Sequence, residues 1–325
     1  MKSVIVNSYG GPEVLNVENV DKPTPKENEI LIQIKATSIT AASTFMREGK
    51  PYIGRLFIGL RKPKTKTPGT DLSGVIEAVG KNVTKFKVGD SVMAETGLTC
   101  GAYAEYICLG EDELIVHHPD NVSAEEATGI IDGACTAMGF FTDSARITQG
   151  QEVLINGASG SIGTAAIQLA KLSGARVTAV CSGKNKALVL DLGADAFVDY
   201  TTTDLEKIQN KFDVIFDTVG KMSFRKGKKL LTNKGVFLTP VLSFSALLNM
   251  MFVSPFASKK LKFSATGMRK HDLRMRDLLN LRELLQSGKI TPVIDHIYNL
   301  DQIQEAHAYV DQGHKRGNVV VSFQN

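Results

Sequence analysis

The chain has 325 residues, enough for about two domains. Hydrophobic residues make up 43%, which supports a sizeable core and speaks against general disorder. Its 38 basic and 34 acidic residues leave a net +4, and without an aromatic-interleaved basic stripe this balance argues against a nucleic-acid partner.

The start, Met1 to Asn7, reads as a first strand rather than a secretory leader. Short β-like segments continue to about residue 122: Lys2–Asn7, Val14–Val20, Glu29–Ile39, Leu72–Val79, Ala102–Leu109 and Glu113–His117. Pro, Gly, Asn and Asp divide them, the texture of a partly open antiparallel barrel. The basic run Arg55, Arg61, Lys62, Lys64 and Lys66 reads as a solvated loop or as a site for an acidic substrate. Cys100, Cys108, Cys135 and Cys181 show no C-x-x-C pair. They fit a reducing, cytoplasmic setting and argue against a structural zinc lobe.

At Ser123-Ala-Glu-Glu126 the spacing is that of a capping box, so a helix begins there. Strand and helix then alternate to about Gly288. Strands are expected at Val153–Asn156, Arg176–Cys181, Ala196–Tyr200, Phe212–Asp217, Gly235–Thr239 and Lys262–Thr266. Helices include one from Lys184 towards Gly193 and another over Asp272–Ser287. Six such strands describe a doubly wound parallel sheet, giving an α/β protein. The apolar run Val241 to Ala257 is interrupted by Pro255 and too short to span a bilayer, so no membrane partner is expected. It reads as a pocket lip, a subunit interface or ordinary core. Val293 to Phe323 returns to β-like text and closes the first domain. The predicted organisation is therefore 1–122, then 123–288, then 289–325.

The most informative stretch joins the strand at Glu152 to Gly157-Ala-Ser159-Gly160-Ser161-Ile162-Gly163 and an amphipathic helix reaching Lys171. Glycines let the backbone turn sharply and approach a pyrophosphate, whose charge the amides and dipole of the helix start would favour. Ser159 is not a nucleophile elbow, because that motif needs glycine where Ser161 stands. A cofactor with a free ribose hydroxyl calls for an acid about 20 positions past the glycines. Here Cys181-Ser182-Gly183-Lys184-Asn185-Lys186 carries none. Ser182, Lys184 and Lys186 suit a ribose 2′-phosphate, hence NADP(H), with a solvated basic turn as the plainer reading.

With this turn behind an N-terminal β domain, the chain resembles the medium-chain dehydrogenase/reductase superfamily, and within it the zinc-independent, quinone-oxidoreductase-like branch. The motifs are Tyr9-Gly-Gly-Pro-Glu-Val-Leu15, Pro68-Gly-Thr-Asp-Leu-Ser-Gly-Val75, Phe86-Lys-Val-Gly-Asp90, Gly101-Ala-Tyr-Ala-Glu-Tyr106, the glycine turn, Leu192-Gly-Ala-Asp195, Gly288 to Asp295 and Gly313-His-Lys-Arg-Gly317. The resemblance implies a GroES-like catalytic domain, a Rossmann domain and a cofactor in the cleft between them. It further implies a homodimer, with the sheet edge near Val236–Val241 as a candidate contact.

The zinc-dependent branch needs a thiolate near the third strand and a Gly-His-Glu segment. Here Thr37–Ser43 lacks cysteine, and Gly69-Thr70-Asp71 lacks histidine. His117 and His118 are adjacent and would face opposite sides of a strand. No metal is expected. By resemblance, Thr136 would touch the nicotinamide end, Tyr200 would cover the phosphate, and Thr218, Val219, Leu238 and Thr239 would line the cofactor's path. Asn318 replaces the family's usual lysine near the C-terminus. Thr40 stands where many relatives carry Asn, and Ser43 where many carry Asp. Tyr52 would donate a proton to an acceptor oxygen or simply pack. The expected activity is NADPH-dependent hydride transfer to a small molecule, a quinone or an activated alkene such as an enone or alkenal. The alternatives are alcohol or aldehyde dehydrogenation, and a non-catalytic nucleotide-binding protein.

Overall fold

The computed structural model describes residues 1–241 and 258–323. All but the first residue of the apolar run Val241 to Ala257 therefore lies outside the described residues. The chain forms two compact units, one from residues 1–132 and 278–325, the other from 133–277.

In chain order, the first unit contributes β1 (Lys2–Ile5), β2 (Asn16–Asn19), β3 (Glu29–Ile39), α1 (Ala41–Glu48), α2 (Arg55–Ile58), β4 (Asp71–Val79), β5 (Ser91–Glu95), β6 (Tyr106–Gly110) and β7 (Ile115–His117). Helix α3 (Ala124–Gly139) leads into β8 (Glu152–Asn156), α4 (Ser161–Leu172), β9 (Arg176–Cys181), α5 (Lys186–Asp191), β10 (Ala196–Asp199), β11 (Phe212–Asp217), α6 (Phe224–Leu230), β12 (Leu231–Thr239) and β13 (Lys260–Phe263). Helix α7 (His271–Gln286) leads back to β14 (Ile294–Asn299), α8 (Ile303–Asp311) and β15 (Asn318–Ser322). The ends predicted for the sequence segments, 122 and 288, fall at the outer ends of α3 and α7, whereas the unit divisions fall within those helices.

Strand β3 organises the first unit. It pairs antiparallel with β15, β4 and β6, in a seven-stranded sheet whose path runs β14-β15-β3-β4-β5-β7. Ile30, Ile32 and Ile34 alternate along it and are buried with Leu72, Ile76, Val92 and Ile115. Each such side chain contributes roughly 1.5–3 kcal/mol by leaving water. Only β14 and β15 run parallel here, and α8 supplies the crossover that a parallel pair requires.

A second cluster buries Val4, Leu15, Ile39, Tyr103, Ile303 and Val319. Beside it, wholly buried His307 links Arg47 to Tyr103. Arg47 Nη1 donates to His307 Nδ1 at 3.0 Å, because arginine has no acceptor. That fixes the neutral tautomer with its proton on Nε2, which donates to the Tyr103 oxygen at 3.2 Å. The Tyr103 hydroxyl donates onward to the Ser38 carbonyl at 3.3 Å. Arg47 also pairs with Asp311, 2.7 Å away.

Among the described residues the second unit forms a six-stranded, wholly parallel sheet of order β10-β9-β8-β11-β12-β13. Covered on both faces, its strands read as continuous apolar text, as in Val153–Ile155 and Val214–Phe216. No described helix is long and apolar enough to cross a membrane.

Four differences from the sequence expectations have local causes. Strand β5, polar at its start, was not predicted; it is held by pairing with β4 and β7. The segment at Ala102 joins its ladder only from Tyr106, because Gly101 and Tyr103 bond the Pro68 carbonyl instead. Strand β13 lies earlier than predicted, since its register on β12 matches Val236 with Lys260, and Thr266 begins a turn. Between β14 and β15 lies helix α8, whose buried Ile303, Ala306, His307 and Val310 follow helical spacing.

Burial holds the His307 pKa down from 6.5 to about 3. Below pH 6.5 the unfolded chain takes a proton that the folded chain refuses, so stability falls as pH drops from 6.5 towards 3. At pH 5 this loss is about 2 kcal/mol. Urea unfolding at pH 7 and pH 5 should show His307→Gln less acid-sensitive than the unaltered chain by about that amount; equal sensitivity would contradict the assignment.

Candidate cofactor site

Where β8 ends at Asn156, the chain must reverse to carry α4 back along the sheet. Gly157 turns it with φ at +78°, and the Gly160 amide closes the turn onto the Gly157 carbonyl at 3.1 Å. A Cβ on Gly157 would lie 2.6 Å from both Thr218 Oγ1 and Val219 Cγ1. A Cβ on Gly163 would lie 2.2 Å from the Gly157 carbonyl oxygen. The missing side chain at Gly163 thus lets the first turn of α4 rest directly on the loop.

Helix α4 begins at Ser161 with Gly160 as its N-cap, and no side chain caps it. Its N-terminus, which carries the dipole's positive end, opens at the carboxyl edge of β8. There β9 lies on one side and β11 on the other, so the strand order reverses at the point where such sheets bind nucleotides. Gly133 on α3 allows close approach as well, since a Cβ there would stand 2.8 Å from Ser161 Oγ. One helical turn further, the Thr136 and Thr266 hydroxyls meet at 3.0 Å.

The turn after β9 brings Ser182, Lys184 and Lys186 to the same edge, with both lysines exposed. Lys186 Nζ stands 6.0 Å from the centre of the Phe197 ring. Asn185, which the motif reading passed over, is buried and joins two loops. Its Nδ2 donates to Ser159 Oγ at 2.9 Å and to Ser182 Oγ at 3.4 Å. Tyr200 follows β10, half-exposed, and its amide donates to the Cys181 carbonyl at 3.4 Å. Burial raises the Cys181 thiol to about 11, partly opposed by the Ser159 hydroxyl, so no reactive thiolate sits here.

One carboxylate near this turn was not anticipated. Asp199 Oδ1 accepts from the Thr201 amide at 2.9 Å and hydroxyl at 2.7 Å. These bonds and the Gly183 amide hold its pKa below the usual range. Sequence gave no signal for it, because it belongs to the third strand of the sheet and meets Gly183 only through the fold.

Thr218 follows β11 and donates its hydroxyl to the Asn156 carbonyl at 2.8 Å, while Val219 is half-exposed. In β12, Leu238 is wholly buried, and the Thr239 hydroxyl accepts from the Val241 amide at 3.2 Å. The carboxyl edge of one sheet thus collects Gly157, Ser159, Gly160, Ser161, Ile162, Gly163, Ser182, Lys184, Tyr200, Thr218, Val219 and Thr239.

Three further candidates lie in the first unit. Thr40 caps α1: its Oγ1 accepts from the Ser43 amide at 3.1 Å, and Ser43 Oγ accepts from the Thr40 amide at 2.9 Å. Asn318 is buried, and its main-chain amide and Nδ2 both donate to the Val293 carbonyl, at 2.8 and 3.0 Å. Tyr52 is 70% exposed, with the Arg55 guanidinium 4.9 Å from its ring centre.

At the end of β3, the Ser38 and Thr70 hydroxyls both donate to the Asp71 carboxyl. Burial, aided by Asp132, pushes Asp71 well above the ordinary carboxylate range. Among the described residues no group of three or more His, Cys, Asp or Glu side chains is arranged to hold a metal ion. His307, the deepest histidine, already serves Arg47 and Tyr103.

Residues 26–120 match the family model described as alcohol dehydrogenase GroES-like domain, and residues 192–321 match that described as zinc-binding dehydrogenase. A chloroplastic quinone oxidoreductase of Triphysaria versicolor is 30% identical over 99% of this chain and 98% of its own length. The chloroplastic NADPH-dependent alkenal/one oxidoreductase of Arabidopsis thaliana is 28% identical, covering 99% of this chain and 79% of that protein. Among solved structures, the quinone oxidoreductase from Coxiella burnetii superposes with a TM-score of 0.88 at 26% identity, over 100% of this chain and 99% of that one.

The glycines differ in their expected tolerance of a methyl group. Gly163→Ala should lose roughly 1–3 kcal/mol and dinucleotide binding together, because the Gly157 carbonyl blocks the new Cβ. Gly160→Ala should retain both, since its nearest neighbour, at 3.5 Å, is an ordinary contact. Thermal unfolding with and without NADPH separates the two, and an unaffected Gly163→Ala would contradict the packing described.

Proposed function

This chain belongs to the medium-chain dehydrogenase/reductase superfamily, in its quinone-oxidoreductase-like branch, and from that premise we propose that it is a zinc-independent, NADPH-dependent reductase of quinones or activated alkenes. The observation that carries the cofactor choice is the turn after β9, where Ser182 and Lys184 stand without an acid of their own segment. A hydroxyl and an ammonium attract a ribose 2′-phosphate, whereas NAD-binding turns use a carboxylate for the free hydroxyl. Lysine offers a point charge rather than a bidentate fork, which suits a turn that leaves it exposed to solvent. The Asp199 carboxylate does not reverse this choice, because three donors from Thr201 and Gly183 already turn towards it.

Bound NADPH supplies the hydride. The protein's part is to bind and to orient. The uncapped start of α4 and the Gly157 turn hold the pyrophosphate, while Ser182 and Lys184 hold the 2′-phosphate. The hydroxyl pair Thr136 and Thr266 orients the nicotinamide end. Negative charge developing on an acceptor oxygen is met by hydroxyl donors or water. Thr40 enters only through its remaining hydrogen-bonding capacity, since its oxygen caps α1. Tyr52, exposed, is the candidate proton donor. The quinone and alkenal/one reductases among the relatives support this acceptor class. A homodimer in the cytoplasm completes the reading, and mass measurement in solution tests the dimer.

Lys184→Ala should weaken NADPH binding by roughly tenfold or more, the value of one charge-assisted hydrogen bond, and leave NADH nearly unchanged. Equal loss for both cofactors in calorimetry would reject the phosphate role. NADPH absorbance followed with a panel of quinones and enones tests the activity itself. Tight NADPH binding without oxidation by any acceptor would instead favour a nucleotide-binding protein without turnover.

A further inference from the structure

Between Glu48 and Asp71 the chain carries Lys50, Arg55, Arg61, Lys62, Lys64 and Lys66 and no acidic residue. The same segment projects Tyr52, Ile53, Leu56, Phe57 and Leu60 into solvent, from 54% exposed at Phe57 to 70% at Tyr52. Large apolar side chains grouped in this way need a cover that the first unit does not supply.

The segment is not a frayed end. The Tyr9 hydroxyl donates to the Gly59 carbonyl at 2.6 Å, and the Lys64 amide donates to the Ile58 carbonyl at 2.8 Å. Arg55 Nε donates to the Gly49 carbonyl at 2.9 Å, with its guanidinium 4.4 Å from the centre of the Tyr9 ring. Phe57 also lines a cavity of about 80 Å³, together with Met46, Ile58, Pro63, Leu98 and Cys100, among others. The loop is therefore tied down by its backbone while its side chains face outward.

Lys50 pairs with Glu48, and Arg55 is engaged within the segment. Arg61, Lys62, Lys64 and Lys66 remain exposed beside the apolar group. Protruding aliphatic tips flanked by cations are complementary to the headgroup region of an anionic bilayer, where stems and tips enter the acyl boundary and ammonium groups meet phosphates. A second copy of this chain would set like charges against like. Nucleic acid would offer no apolar depth for Ile53, Leu56 and Leu60.

We propose that residues 49–66 form a docking loop for an anionic lipid surface. Such docking needs no crossing segment, and it shares one residue, Tyr52, with the proposed reaction. Each cation that reaches the surface should strengthen binding by roughly fivefold.

Sedimentation with vesicles of phosphatidylcholine, with and without phosphatidylserine, tests the proposal on the full chain. Binding should be at least tenfold tighter with phosphatidylserine and should weaken as salt rises. The variant Lys62→Glu/Lys64→Glu should lose at least tenfold. The variant Ile53→Ser/Leu56→Ser/Leu60→Ser should lose the fraction that persists at high salt, and all altered side chains are exposed, so both variants should keep the unaltered melting temperature. Absence of binding to anionic vesicles, equal binding to phosphatidylcholine alone, or binding unchanged in the serine variant would each overturn it. A change of solution mass in the serine variant without any change in vesicle binding would assign the patch to a protein contact instead.

Discussion

Only a residue without a side chain can occupy position 163, because the Gly157 carbonyl oxygen fills the place where a Cβ would go. That steric demand fixes how α4 meets the end of β8, and through it the direction in which the first helical amides point. Gly157 in turn keeps room for the loop after β11, where Thr218 bonds back to Asn156. The loops after β8 and β11 are consequently locked to each other at the point where the strand order reverses. Asn185 extends the lock to the turn after β9 through Ser159 and Ser182. Three loops that read separately in the sequence are cross-linked by these contacts, and preorganisation of this kind limits the ordering cost of holding a flexible dinucleotide.

The second unit was legible because its signals are local. A buried parallel strand is a continuous apolar run, and a glycine turn followed by helical spacing marks strand and helix together; β9 and β11 appear where the text places them. What escaped depends on partners distant in the chain. Strand β5 exists because β4 and β7 flank it, and Asp199 meets Gly183 only once β9 and β10 lie side by side. Helix α8 was obscured by neighbouring valines and isoleucines that belong to strands. Register, too, is a property of pairs, which is why β13 begins at Lys260 rather than where its own composition suggests.

Polar residues of the first unit show a different division between local and functional roles. Thr40 and Ser43 satisfy each other and the start of α1, Asn318 fastens the Val293 carbonyl, and His307 mediates between a buried guanidinium and Tyr103. Residue type alone would assign hydroxyl, amide and imidazole groups to chemistry. Their partners give each of them a duty to the backbone or to a buried charge as well, since an unsatisfied group in such surroundings would cost about 1–3 kcal/mol.

The pairing of β3 with β15, which joins Ile39 to Val319, makes the first unit discontinuous in the chain. During translation, the stretch that emerges first therefore has to wait for the last strand before its sheet is complete. The second unit is uninterrupted and has every described strand of its sheet once residue 263 has left the ribosome. Vectorial synthesis thus favours a nascent chain whose nucleotide-binding half matures while the other remains open at one edge. Until the last strand arrives, the part of β3 that β15 will cover keeps unpaired backbone groups open to other strands.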